Sequence, residues 1–135
     1  MKNKAKLVIN IIVVALAIIL FAGHINSVRH ENALRFFQND AKRLSRNIIE
    51  AEIIDREYDV HIVNYSEETI AIWLEIEDKA SLSEDDLNTI YSAIEEEFKA
   101  YEFRDDSYKK ARIFIHDLNN NSNSEENSEI KFIEK

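Results

Sequence analysis

Asp59, His61 and His116 carry the sharpest chemical possibility in this chain. They fall in two stretches of strand-like alternation, where every second residue shares a face, so the three could meet on one side of a sheet. Two imidazoles and a carboxylate form a zinc-type donor set. A histidine on the open side of a strand is more often plain surface, and that is the reading preferred here. A second possibility is Asp117-Leu118-Asn119-Asn120-Asn121-Ser122, which places oxygen donors at positions 1, 3 and 5 of a calcium loop. That loop needs glycine at position 6 and glutamate at position 12, where this chain has Ser122 and Ser128. The stretch reads instead as an Asn/Ser/Glu-rich spacer. No metal and no cofactor is expected.

Catalytic machinery is equally hard to find. The chain has one glycine and no cysteine. It therefore has no P-loop, dinucleotide-binding loop or nucleophile elbow, each of which needs glycine where the backbone bends sharply or approaches a ligand. Its serines sit at a helix cap and in the spacer, where capping and turn chemistry account for them. Acidic pairs such as Glu95-Glu96 and Asp105-Asp106 read as solvated surface. The expectation is a protein that is not an enzyme.

Aromatic residues point elsewhere. Tyr58, Val60 and Ile62 alternate with Asp59, His61 and Val63; Ile70, Ile72 and Leu74 alternate with Thr69, Ala71 and Trp73. The two runs read as a hairpin. Pairing Val63 with Thr69 would set His61 opposite Ala71 and Asp59 opposite Trp73. A third strand follows in Ala111–His116, with Ala111, Ile113 and Ile115 inward. Trp73, Phe114, Val63, His61 and His116 then share the outward face and are the expected partner-binding residues. Contiguous apolar surface of this kind marks an interaction site, and tryptophan is enriched at interface hot spots. The competing expectation is that Phe132 or Ile133 folds back to cover it.

The elements that must position this face begin with Leu7–Ala22, an uncharged run interrupted only by Asn10. Sixteen residues make a helix of roughly 24 Å, and continuing through Ile25 brings it near the ~30 Å hydrocarbon core. Lys2, Lys4 and Lys6 precede it, so the N-terminus is expected in the cytoplasm and the remainder outside. The alternative is a secreted protein released by signal cleavage, but Leu20 or Phe21 would occupy the −3 position, and neither is small. The bilayer is thus the first expected partner, through Leu7 to Ile25. The chain carries −9 overall, and −12 without its three N-terminal lysines, which argues against nucleic acid as a partner.

Beyond the anchor, Leu34, Phe37, Ala41, Leu44 and Ile48 form one helical stripe, with Arg35, Asp40, Lys42, Arg43 and Arg46 falling away from it. Ser83 is a good N-cap, followed by Glu84, Asp85 and Asp86 in the first turn, with a helix face of Leu87, Ile90, Ile94, Phe98 and Tyr101. The expected organisation is a basic tail over 1–6, an anchor over 7–25, an α+β domain over 26–118, and a spacer and tail over 119–135. Residues 129–134 could add a short edge strand, though a loose tail is preferred. The fold expected is a two-layer αββαβ unit, a three-stranded sheet with two helices on one face. In element order, residues 29–117 resemble the BON domains and ring-building motifs of secretion and sporulation channels. That resemblance implies a noncatalytic module that binds a neighbour or a lipid. The expected function is a membrane-anchored interaction or assembly module working through a protein partner or a homo-oligomer. The alternative is a ligand- or metal-sensing accessory domain.

Overall fold

The structure, a computed structural model, describes residues 2–119 and 129–135. Most of the expected spacer and the later positions of the calcium-type loop lie outside those residues. The chain divides into two compact units, Met1–Arg35 and Phe36–Lys135. A single helix, α1, runs over Lys2–Glu50. No proline interrupts it. Its N-terminal part makes one helix long and apolar enough to cross a membrane. The apolar side chains there stand exposed, Leu20 at 73% for example, as lipid-facing residues would.

In the second unit the end of α1 is followed by β1 (Tyr58–Asn64), β2 (Thr69–Ile76), a 3-10 turn (Lys79–Ser81), α2 (Glu84–Ala100), β3 (Lys110–Asp117) and β4 (Glu129–Glu134). The sheet order is β1-β2-β3-β4. β1 and β2 are antiparallel, β2 and β3 parallel, β3 and β4 antiparallel. The parallel pair is joined through α2, as a crossover connection requires. The α+β class is as expected, but the sheet has four strands, not three. Residues 129–134 add to the edge of β3 because Ile133 gains a core position there, at 6% exposure.

The core is built from the periodicity. Leu44 and Ile48 of α1 and Ile90, Ile94 and Phe98 of α2 pack with Ile70, Ile72 and Leu74 of β2 and Ile113 and Ile115 of β3. All ten are fully buried. Leu34, expected on the same stripe, is instead 43% exposed, and Asp40, expected outside it, is buried. The hairpin register also differs. Asn64 pairs with Ile70 and His61 with Trp73, because the Tyr65 and Ser66 N–H groups both donate to the Thr69 carbonyl at 3.0 Å and centre the turn one residue further along the chain. The slip is two residues, which preserves every side chain's face.

Both helix ends are satisfied by side chains. Tyr58 OH donates to the Ile48 carbonyl at 2.9 Å and accepts from the Ile53 N–H at 3.2 Å, which quenches free groups where α1 stops. Chain reversal there needs Glu52 at a positive φ of 46°, a conformation a non-glycine residue adopts at some cost. At α2, Ser83 Oγ accepts from the Asp86 N–H at 3.1 Å, while Asp86 Oδ2 accepts from the Ser83 N–H at 2.9 Å, a reciprocal capping box. Those bonds from Ser83, backbone first, hold the Asp86 carboxyl below its usual range. Their support is therefore present above that range and fades as acid protonates Asp86. Ser83→Ala is expected to cost about 1 kcal/mol, read as a lower urea midpoint with an unchanged slope. An unchanged midpoint would mean the cap contributes nothing.

Candidate functional site

The outward sheet face collects Asp59, His61 and Val63 from β1, Thr69, Ala71, Trp73 and Glu75 from β2, and Arg112, Phe114 and His116 from β3. At its centre Trp73 and Phe114, paired across the parallel strands, stack with ring centroids 4.1 Å apart and planes 7° from parallel. Contact of this kind adds stability beyond the area buried. Trp73 is half-buried and Phe114 is fully buried. The expectation that Phe114 is itself exposed is thus corrected. Its ring is stacked against that of Trp73.

Arg112, which the sequence reading did not single out, dominates one end of the face. Its guanidinium lies 4.3 Å from the Tyr65 ring centroid, 5.0 Å from Phe132 and 5.2 Å from Phe114. Each ring face attracts the cation. No acid among the described residues pairs with it, and its Nε is buried without a hydrogen-bond partner. Parity could have found it, since the alternation that turns Phe114 and His116 outward turns Arg112 outward too. Around it Phe132 is 69%, Tyr65 50% and Val63 47% exposed. Phe132 therefore extends the apolar face without covering it, contrary to the fold-back expectation. Residues 129–134 cannot do both, because pairing to β3 fixes them in the plane of the sheet.

The opposite end is acidic. Asp59 pairs with Glu75 across β1 and β2, and Glu75 with His116 across β2 and β3. His61 Nε2 stands 3.3 Å from Glu75 Oε2 and 3.5 Å from Asp59 Oδ2. These contacts are solvent-exposed, and surface pairs of this type contribute little. His61 and His116 do not come together as a ligand pair, because β2 lies between their strands and Trp73, not a ligand, faces His61. Among the described residues no group of three or more His, Asp or Glu side chains could hold a metal ion. The Asp117 carboxylate, first position of the calcium-type loop, accepts from the N–H groups of Lys79 and Asn119, both at 3.0 Å. Its lone pairs serve the fold.

What this arrangement can do chemically is bind. A stacked aromatic centre is flanked at one end by a guanidinium that no acid among the described residues pairs with and at the other by carboxylates. Among the described residues no nucleophile with an activating base stands on it. No protein-family profile, curated protein or solved structure matches the chain, so the likeness to BON and ring-building modules rests on the order of elements alone.

Proposed function

We propose that this chain is a single-pass, membrane-anchored module whose folded unit lies outside the cytoplasm and acts by noncatalytic protein interaction or assembly. The carrying observation is the outward face itself: Trp73 stacked on Phe114, with Val63, Tyr65 and Phe132 exposed around them. Orientation follows from Lys2, Lys4 and Lys6 ahead of the apolar run, since basic residues near a first span favour the cytoplasmic side. The anchor supplies location and the face supplies contact.

The chain has no cysteine, which gives a clean test. Val63→Cys places a thiol on the face, and Glu96→Cys places one on the exposed side of α2. In intact cells a membrane-impermeant maleimide is expected to label Glu96→Cys readily and Val63→Cys several-fold more slowly, because a partner covers it. Adding Phe132→Ser, at an exposed edge position that the fold tolerates, should raise labelling at Val63→Cys toward the control. Labelling of both only after lysis would reverse the orientation. Equal labelling of both in intact cells would remove the face as an interface.

A further inference from the structure

We infer that the partner for the aromatic face is a second copy of this chain, stacked face to face about a twofold axis through the Trp73–Phe114 stack. The inference rests on the reading of that face as an interface, and goes further by naming what covers it. Arg112 lies across from Ala71, and Glu75 lies four residues further along β2 on the same side. The midpoint between Arg112 and Glu75 therefore falls between Trp73 and Phe114, which pair with each other. A face stacks on its own copy by rotation about an axis in the plane of contact, and each contact is then made twice. An axis through the stack, perpendicular to the line joining Arg112 and Glu75, seats each Arg112 over the partner's Glu75. The same rotation brings the two aromatic stacks into contact.

Charge selects this arrangement over the other simple one. At the first end of the face stand Lys110 and Arg112, with Glu134 opposite Lys110 and the Glu68 carboxylate 3.5 Å from the Lys110 ammonium, so that Arg112 is the cation left for a partner. At the second stand Asp59 and Glu75, whose near neighbours on the face are His61 and His116. An axis along the strands would set Arg112 toward Arg112 and Glu75 toward Glu75, and like charges facing each other across an interface oppose association. The transverse axis sets opposite ends together and gives each guanidinium a carboxylate, the charge-assisted bond that no described residue of its own chain supplies. The area is modest. Strand spacing of ~4.8 Å and a rise of ~3.3 Å per residue give a face roughly 20 Å on a side, which is smaller than a standard interface. Association should accordingly be reversible and concentration-dependent.

The test is sedimentation velocity of the full chain in detergent micelles over a wide concentration range. Wild type is expected to self-associate, and Arg112→Glu and Glu75→Arg are each expected to raise the dissociation constant more than about tenfold. An equimolar mixture of the two variants should regain association. In that pair each variant end meets its complement, and the two unaltered ends meet as they do in the wild type. Should Arg112→Glu fail to fold, Glu75→Arg alone decides, and unchanged association in that variant overturns the inference. A wild-type monomer at every concentration, or a mixture that regains nothing, overturns it as well, while leaving the face open to a different protein. Self-association that survives Trp73→Ser has a different meaning: it removes the face as the interface altogether.

Discussion

Truncation before residue 129 is expected to lower the stability of the Phe36–Lys135 unit by at least about 3 kcal/mol, with aggregation at higher concentration. Three losses combine. Ile133 leaves a core position where it is 6% exposed, and removing a buried isoleucine side chain alone costs roughly 2–5 kcal/mol. The antiparallel ladder from Lys110–Glu134 to Ile115–Glu129 disappears, and so does the bond from the Lys135 N–H to the Lys109 carbonyl at 2.8 Å. The Lys135 ammonium also leaves the Phe98 and Phe103 rings, 5.0 Å from each. What remains at the edge is β3, a strand with buried Ala111, Ile113 and Ile115 and a row of unpaired backbone groups, which is a template for wrong pairing. Trp73 is the only tryptophan and lies on β2, so its fluorescence reports sheet unfolding without interference from the apolar part of α1. Two controls divide the effect. Ile133→Ala should carry the packing share, and Phe132→Ser, at an exposed site, should stay within about 0.5 kcal/mol of wild type. A truncated chain that unfolds at the wild-type urea concentration would show that β4 adds nothing and that the tail is dispensable to the fold.

How much of this was readable follows from which signals are local. The capping box at Ser83, the core faces of α2, β2 and β3, and the α1 stripe from Phe37 to Ile48 all come from periodicity and short-range chemistry. Those are set by three to five neighbouring residues. The hairpin faces were readable, but its register was not, because two registers that differ by two residues bury the same side chains. The choice falls to backbone bonds at Tyr65, Ser66 and Thr69 that leave no mark on composition. β4 stood only as the less favoured alternative to a loose tail, for a different reason. Glu129-Ile130-Lys131-Phe132-Ile133-Glu134 is a short run beyond a polar spacer, and what makes it a strand is the open edge of β3, a long-range partner. Lys131 looks wrong for an inward position, yet it faces Tyr91 at 5.5 Å and Glu95 at 3.5 Å, so its charge is spent on α2. In the candidate site, Trp73, Val63 and His61 were legible as outward by parity alone. Arg112 was passed over because a charge on an outward position looks like ordinary solvated surface until the three rings around it are seen.

Asp40 is the other residue whose role only the fold reveals, and replacing it with alanine is expected to cost about 2–4 kcal/mol. Asp40 is 4% exposed, and its carboxylate lies against the segment that follows α2. It accepts from Tyr101 OH at 2.9 Å and from the Arg104 N–H at 3.0 Å, which ties α1 to the segment between α2 and β3. Spacing places it three residues after Phe37 and four before Leu44, at the margin of the buried stripe, yet its charge made it read as solvent-facing. Removing it strands two donors and opens a small void, and hydrogen bonds to a charged group are worth more than neutral ones. Asp40→Asn keeps the shape but presents an amide NH₂ to one of the two donors, so it should recover only part of the loss. The pH dependence gives an independent check. Burial, then the bond to Asp40 and its charge, pushes the Tyr101 hydroxyl up to about 12. A folded-state value above the unfolded one means that the contribution is whole below about pH 10 and lost as pH rises toward 12. Tyr108, raised chiefly by burial, acts in the same direction, and Lys135, lowered chiefly by burial, acts against it. Melting curves from pH 8 to 11.5 should therefore fall less steeply in Asp40→Asn than in wild type, because the carboxylate's share of the tyrosine shift is gone. Parallel alkaline curves, or an Asp40→Ala variant that melts within about 0.5 kcal/mol of wild type, would show that the buried pair is incidental. The stripe from Ala41 to Ile48 would then hold α1 by packing alone.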